Sequence, residues 1–268
     1  GPARPRPAVT PPPPGRVRVR MTFAYHGAPF HGFAANPGVV TVEGTLVGAL
    51  TRVLGHEIDL SCAGRTDKGV HARGQVVSFD ADASRLDPPR LAQALNRMLA
   101  PDIAVRSVAP AAPDFDARHS CVARSYRYRV LNTPVHDPLL ADVVWHVARP
   151  LDLAAMRLAC DPIIGEHDFS TFCRRRRDRR DESLTRQVLA ADWRREGGVL
   201  RFDVTATAFC HQMVRALVGH MVAVGAGRRR AGEMRAALEA RDRHAVASPA
   251  PPQGLVLWSA HYPPDPAV

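Results

Sequence analysis

Near the start of the chain, apolar and basic positions alternate. Val17, Val19, Met21 and Phe23 interleave with Arg16, Arg18, Arg20 and Thr22. A period of two predicts a half-buried strand with an arginine-lined outer face. The period then changes. Val42, Leu46, Leu50 and Val53 recur at helical spacing, with Thr41 placed to cap the start and Gly55 to end the helix. Ile58 to Ala63 and Gln75 to Phe79 read as two strands joined by a loop with Gly64, Gly69 and Gly74. Asp87-Pro88 opens a second helix, with Leu91, Leu95, Met98 and Leu99 inward, and Ile103 to Val108 is a strand.

A second pass of the same order follows. Cys121 to Val130 reads as a strand with Tyr126, Tyr128 and Val130 on one face, and Val143 to Val147 as a shorter one. Leu151 to Ile164 has helical spacing, with Leu153, Met156, Cys160 and Ile163 or Ile164 inward. Glu196-Gly197-Gly198 joins Val188–Arg194 to Val199–Ala206 as a hairpin. His211 to Val224 is a strongly apolar helix, Ala231 to Glu239 a small one, and Gly254 to Tyr262 a closing strand. The fold class expected is α+β: two similar β-α-β-β-α-β halves with antiparallel sheets, residues 16–115 and 116–263, and a ligand cleft between them. The similarity is of element order only. Residues 1–15 are proline-rich without apolar periodicity and are expected to be disordered, and 264–268 form a short tail.

Composition narrows the class. Of 268 residues, 46% are apolar, enough for a real core. No apolar run approaches the roughly 18 residues of a membrane span, and no signal peptide is visible. The opening Gly1-Pro2 reads as a cleavage scar, so the native start is left open. The formal net charge of +10 points to a polyanionic partner, most simply a nucleic acid. Lys68 is the only lysine, as a GC-rich genome would produce, but such bias does not explain the excess of basic over acidic residues. The five cysteines are scattered without a C-x-x-C pair, so neither a disulfide framework nor a zinc site is expected, and a reducing cytoplasm fits. The histidine pairs His26/His31 and His211/His220 lack the spacing of a helical metal pair.

Candidate chemistry concentrates between the two strands of the first half. Arg65, Asp67, Lys68, His71 and Arg73 crowd one glycine-rich turn. An aspartate in a turn is ordinarily a cap or an Asx-turn. Here glycines allow a ligand to approach the backbone, and Arg65 and Lys68 favour an ionised carboxylate. Such a group can act as nucleophile, base or electrostatic stabiliser at a sugar C1′. Glycosidases use two carboxylates, so one acid among arginines suggests that a glycosidic bond breaks without an activated water. A second basic feature is the run Arg174, Arg175, Arg176, Arg177, Arg179 and Arg180, which reads either as a solvated segment or as a phosphate-binding arm. Phe169 and Phe172 just before it could anchor its base in the core.

The stretch Ala63-Gly-Arg-Thr-Asp-Lys-Gly-Val-His-Ala72 resembles the catalytic motif of the TruA family of tRNA pseudouridine synthases. Asp102–Arg106, Phe115–Arg118, Ala123–Tyr128, Gly165–Phe169, Phe209–Arg215 and Gly254–Trp258 follow in that family's order and at similar spacing, so the resemblance spans roughly residues 17–263. It implies the pseudouridine synthase fold and isomerisation of uridine at positions 38, 39 and 40 of the tRNA anticodon stem-loop. It implies no cofactor, no catalytic metal, and a homodimer in which one tRNA contacts both subunits. Asp67 matches the catalytic aspartate, and Arg65 the arginine that assists base flipping. Tyr126 matches the tyrosine that packs on the target base, and Arg215 the basic partner of the acid. Without the resemblance, Tyr126 and Tyr128 read as core aromatics, Arg215 as a snorkelling residue and Arg65 as a turn-stabilising cation. Three features depart from the family. Lys68 stands where many relatives carry a small residue, Gly32-Phe33-Ala34-Ala35 replaces a Gly-Trp with a following Gln, and the arginine run is denser. No RNA contact is therefore carried over to the 32–35 loop, whereas Lys68 and Arg174, Arg175, Arg176 and Arg177 are expected to contact RNA. The competing classes are an RNA-binding protein without activity, which would lack Asp67, Arg65 or Tyr126, and a base-releasing glycosidase, which would want a second acid.

Overall fold

A computed structural model describes residues 9–175 and 183–264. In chain order the elements are β1 (Arg16–Tyr25), α1 (Val42–Leu54), β2 (Ser61–Cys62), β3 (His71–Asp82), α2 (Pro88–Leu99) and β4 (Ile103–Pro110). Then follow β5 (Ala123–Leu131), β6 (Trp145–His146), α3 (Leu153–Leu158), β7 (Gly165–Asp168), β8 (Thr185–Glu196), β9 (Val199–Ala206), α4 (Met213–Gly225), α5 (Glu233–Ala240) and β10 (Leu255–His261). The fold is α+β with largely antiparallel pairing, as expected. One compact unit takes in the chain up to Val122 and again from Leu257 onward; the other is Ala123–Val256.

In the first unit the strand order is β4-β1-β3-β10, with β2 on β3. Register follows the alternation: Val19 faces Phe79 and Met21 faces Val77, all four buried. The helices begin where side chains supply caps. Thr41 accepts from the Gly44 amide at 3.2 Å and Asp87 from Arg90 at 3.1 Å, each worth about 1 kcal/mol. Gly55 ends α1 in the left-handed region, φ +75°, which a side chain would resist. Val53 and Met98, which the helical period places inward, are exposed, while Leu54 and Leu99 are buried. Both lie in a last turn, and a helix face buries only as far as its neighbours extend.

Beyond the exposed Arg16, the arginine face of β1 is covered. Arg18 is 8% exposed, with Nε at 2.5 Å from Asp80 and further bonds to the Phe115 and Thr10 carbonyls. Arg20 lies over the rings of Phe115 and Tyr262, 5.4 and 4.5 Å from their centroids. The segment after β4 and the end of the chain cover that face, closing a small apolar cluster of Ala63, Val76, Ala117 and Cys121. Strand alternation predicts two faces but not that the polar one will be covered.

In the second unit the order is β5-β9-β8-β7, with β6 on β5. The helix expected over Leu151–Ile164 stops at Leu158, and a separate 3₁₀ turn, Asp161–Ile163, follows. Pro162 lacks the amide that a continuing helix needs. Met156, Cys160 and Ile163 still point inward, while Ile164 is exposed. Strand β7 was not expected: its sequence, Gly-Glu-His-Asp, carries no apolar alternation. Helix α4 is buried along nearly all of its length. Its Gly219 is required by close packing, since a Cβ there would lie 2.1 Å from the Ser248 carbonyl oxygen.

The cysteine expectation needs correction. Cys173 and Cys210 are paired as a disulfide, with Cα atoms 5.7 Å apart. They are 37 residues apart in sequence, but the Arg174 amide donates to the His211 carbonyl at 2.9 Å and draws the two segments together. Cys62, Cys121 and Cys160 take no part in this pairing. Burial, and then Asp192 and Asp161 nearby, push the Cys160 thiol up to about 12, so it is an inert core residue.

Candidate active site

The loop between β2 and β3 is held at nearly every residue that flanks Asp67. Gln75, fully buried, donates its amide Nε2 to the Gly64 carbonyl at 2.7 Å. Thr66 is buried; its hydroxyl meets the Tyr25 hydroxyl at 2.7 Å, and its carbonyl accepts from the Phe33 amide at 3.0 Å. The Val70 amide donates to the Asp67 carbonyl at 3.1 Å, closing a turn in which Gly69 takes φ +78°. His71 is 4% exposed and its Nδ1 accepts from the Gly27 amide at 2.9 Å, so the proton of the neutral ring sits on Nε2.

Two glycines let the preceding segment lie directly on this loop. A Cβ on Gly27 would fall 2.2 Å from the Val70 carbonyl oxygen, and one on Gly32, φ +97°, would fall 3.1 Å from that of Thr66. Phe30 and Phe33 from that segment are buried. Asp67 itself is half-buried, and Arg65 is exposed beside it. A carboxylate on a backbone fixed from both sides keeps its position when a substrate arrives, which lowers the reorganisation cost of acting on it. Lys68 is exposed and donates to His31 Nε2 at 3.2 Å. The 32–35 loop that departs from the family is pinned in turn, by Glu43 accepting from the Ala35 amide at 2.7 Å.

The other candidate residues stand in the second unit. Tyr126 and Tyr128, equivalent by periodicity, part company in the structure. Tyr128 is fully buried and its hydroxyl donates to the Pro251 carbonyl at 2.7 Å. Burial pushes its phenol pKa up, against the opposing pull of the Arg215 charge, so it remains a protonated donor. Tyr126 faces Val204 across the β5-β9 pair and meets the Phe209 ring edge-on at 4.9 Å, with a small part of its surface open. Arg215 is half-buried in the first turn of α4, where its Nε donates to the Ala250 carbonyl at 2.7 Å.

Arg174 and Arg175 are exposed, directly after the buried Phe169 and Phe172 that anchor this segment. Arg176, Arg177, Arg179 and Arg180 lie outside the described residues. Sequence reasoning passed over Arg243 and Gln212, which meet at 2.7 Å beside Arg215. Gln212 lies within the Phe209–Arg215 stretch but carried no role there, and nothing in spacing or composition marks Arg243, because the two converge only through the loop that follows α5. It also gave no role to Gln75, Tyr25 and Thr66, the residues that hold the Asp67 loop.

A family model described as "tRNA pseudouridine synthase" matches residues 21–120 and 159–263. The chain therefore belongs to the tRNA pseudouridine synthase family, and so to the isomerases that act on tRNA. It is similar to a protein of Frankia casuarinae named tRNA pseudouridine synthase A, 44% identical over 94% of this chain and 92% of that one. Proteins of the same name from a Geobacillus species and from Halalkalibacterium halodurans are 39% and 40% identical, over 91% and 89% of this chain and 98% and 90% of theirs.

Proposed function

We propose that the protein converts uridine to pseudouridine at positions 38, 39 and 40 in the anticodon stem-loop of tRNA, with Asp67 as the essential carboxylate. The observation that carries this reading is the half-buried Asp67 on a loop locked at Gly64, Thr66, Val70 and His71, in a chain of this family. The target base leaves its stack at a cost of a few kcal/mol, with Arg65 assisting. The ring of Tyr126 stacks on the base and offsets roughly 1–3 kcal/mol of that cost. The N1–C1′ bond then breaks, the base turns, and C5 bonds to C1′; the C5 proton is released and N1 takes one up. Atoms and electrons balance without a cofactor, and Asp67 acts on the sugar or the base as nucleophile, base or stabiliser of developing charge. Arg215 is the proposed basic partner of Asp67, and Lys68 with Arg174, Arg175, Arg176 and Arg177 the proposed contacts to RNA. The reading carries with it a homodimer whose subunits share one tRNA, acting in the cytoplasm.

The test is tritium release from tRNA labelled at uridine C5. Wild-type protein releases tritium and forms pseudouridine, whereas Asp67→Ala binds tRNA and releases none above background. Release by neither protein, with tRNA still bound, would leave an RNA-binding protein without activity. Free uracil would make it a glycosidase.

A further inference from the structure

The loop that enters α4 gathers three arginines from separate parts of the chain. The Arg174 backbone is fixed to it by the hydrogen bond that its amide donates to the His211 carbonyl at 2.9 Å, next to the Cys173–Cys210 pair. Arg215 is fixed in the first turn of α4 by a reciprocal pair: its Nε donates to the Ala250 carbonyl at 2.7 Å, and the Ala250 amide returns to the Arg215 carbonyl at 2.9 Å. Arg243 reaches back from the turn after α5 and donates Nη2 to Gln212 Oε1 at 2.7 Å. Gln212 directly precedes α4 in a left-handed conformation, φ +64°, and its side chain does not cap the helix. It holds Arg243 instead.

Arg243 is unsatisfied as it stands. Arg243 Nη1 is buried and has no hydrogen-bond partner among the described residues. Burial, and then the charges of Arg174 and Arg215, lower the pKa of Arg243, and no carboxylate among the described residues bonds to it. A buried donor without an acceptor, in a field of like charge, costs free energy that an anion would recover. Guanidinium forks match the paired oxygens of a phosphate.

We propose that Arg174 and Arg243, beside Arg215, form a site for one backbone phosphodiester of the RNA, with Arg243 as a positioning residue set by Gln212. The proposal rests on tRNA being the substrate, so its test has one arm that does not use RNA. In the first arm, tRNA binding is measured against salt concentration for wild type, R243Q, R243K and R90Q, after circular dichroism shows that each is folded. Arg90 is an exposed arginine on α2 in the first unit and serves as the control for overall charge. R243Q is expected to bind about tenfold more weakly, with a log–log salt slope shallower by about 0.7–0.9. R243K should keep most of the slope but not the affinity, and R90Q should match wild type. A wild-type slope in R243Q, or an equal loss of slope in R90Q, overturns the site.

In the second arm, inorganic phosphate is added at matched ionic strength and the unfolding midpoint is read. Phosphate should raise the midpoint of wild type and leave that of R243Q unmoved. Equal response, or none in either protein, overturns the site; the second outcome is also what a carboxylate of the chain already filling it would give. If wild type releases no tritium from tRNA, the functional reading fails and the phosphate arm alone decides the site.

Discussion

Tyr126 and Tyr128 sit two residues apart on one strand face, yet one hydroxyl is spent on Pro251 and the other residue, 8% exposed, meets Phe209 edge-on. If the Tyr126 ring supplies stacking, Tyr126→Leu should lower kcat/KM by about 5- to 150-fold, the equivalent of roughly 1–3 kcal/mol, while Tyr126→Phe stays near wild type. A comparable loss in Tyr126→Phe would assign a proton-transfer role to the hydroxyl; steady-state tritium release separates the two. At this scale the motif residues were legible because their chemistry is local: an acid among cations between glycines announces itself within ten residues. Arg243 was not, since its partner Gln212 lies in a different segment and only folding unites them.

Among the elements, α4 carries a buried histidine. His220 on this helix is fully buried, edge-on to Phe172 at 6.1 Å, with neither ring nitrogen bonded among the described residues. Burial, and then the Arg229 charge, lower its pKa from 6.5 to about 4, with Glu233 opposing. Between those values the unfolded chain takes up a proton that the folded chain refuses. The contribution of His220 is therefore complete above about pH 6.5 and lost progressively as pH falls toward 4, by roughly 3 kcal/mol in all. His220→Leu should flatten this part of the stability profile without lowering stability at pH 7; urea unfolding at pH 7, 5.5 and 4.5 reads both. Strands with strict alternation, such as β1, β5 and β9, were legible from apolar period. The break after α3 was signalled by Pro162 and overlooked, and β7 carries no signal because its four residues, Gly-Glu-His-Asp, show no apolar alternation.

For the whole molecule, the charge of +10 sets the partner class more than any single contact does. Long-range attraction of this kind concentrates a polyanion at the surface and depends on salt. Light scattering with size separation should return twice the 29.2 kDa of the chain for the proposed homodimer, and binding titrations one tRNA per two chains. A single-chain mass that persists while tritium is released would remove the shared-tRNA reading and leave the chemistry in place.

By itself the sequence determined most of the element order, the α+β class and the residue types at the candidate site. These depend on local period, on turn chemistry and on a motif contiguous in the chain. Tertiary structure alone decided that the arginine face of β1 is covered, that Cys173 meets Cys210, that Tyr126 and Tyr128 differ, and that Arg174, Arg215 and Arg243 converge on one loop. Each of these joins segments far apart along the chain. Their juxtaposition is set by the packing of whole elements, which no window of neighbouring residues encodes.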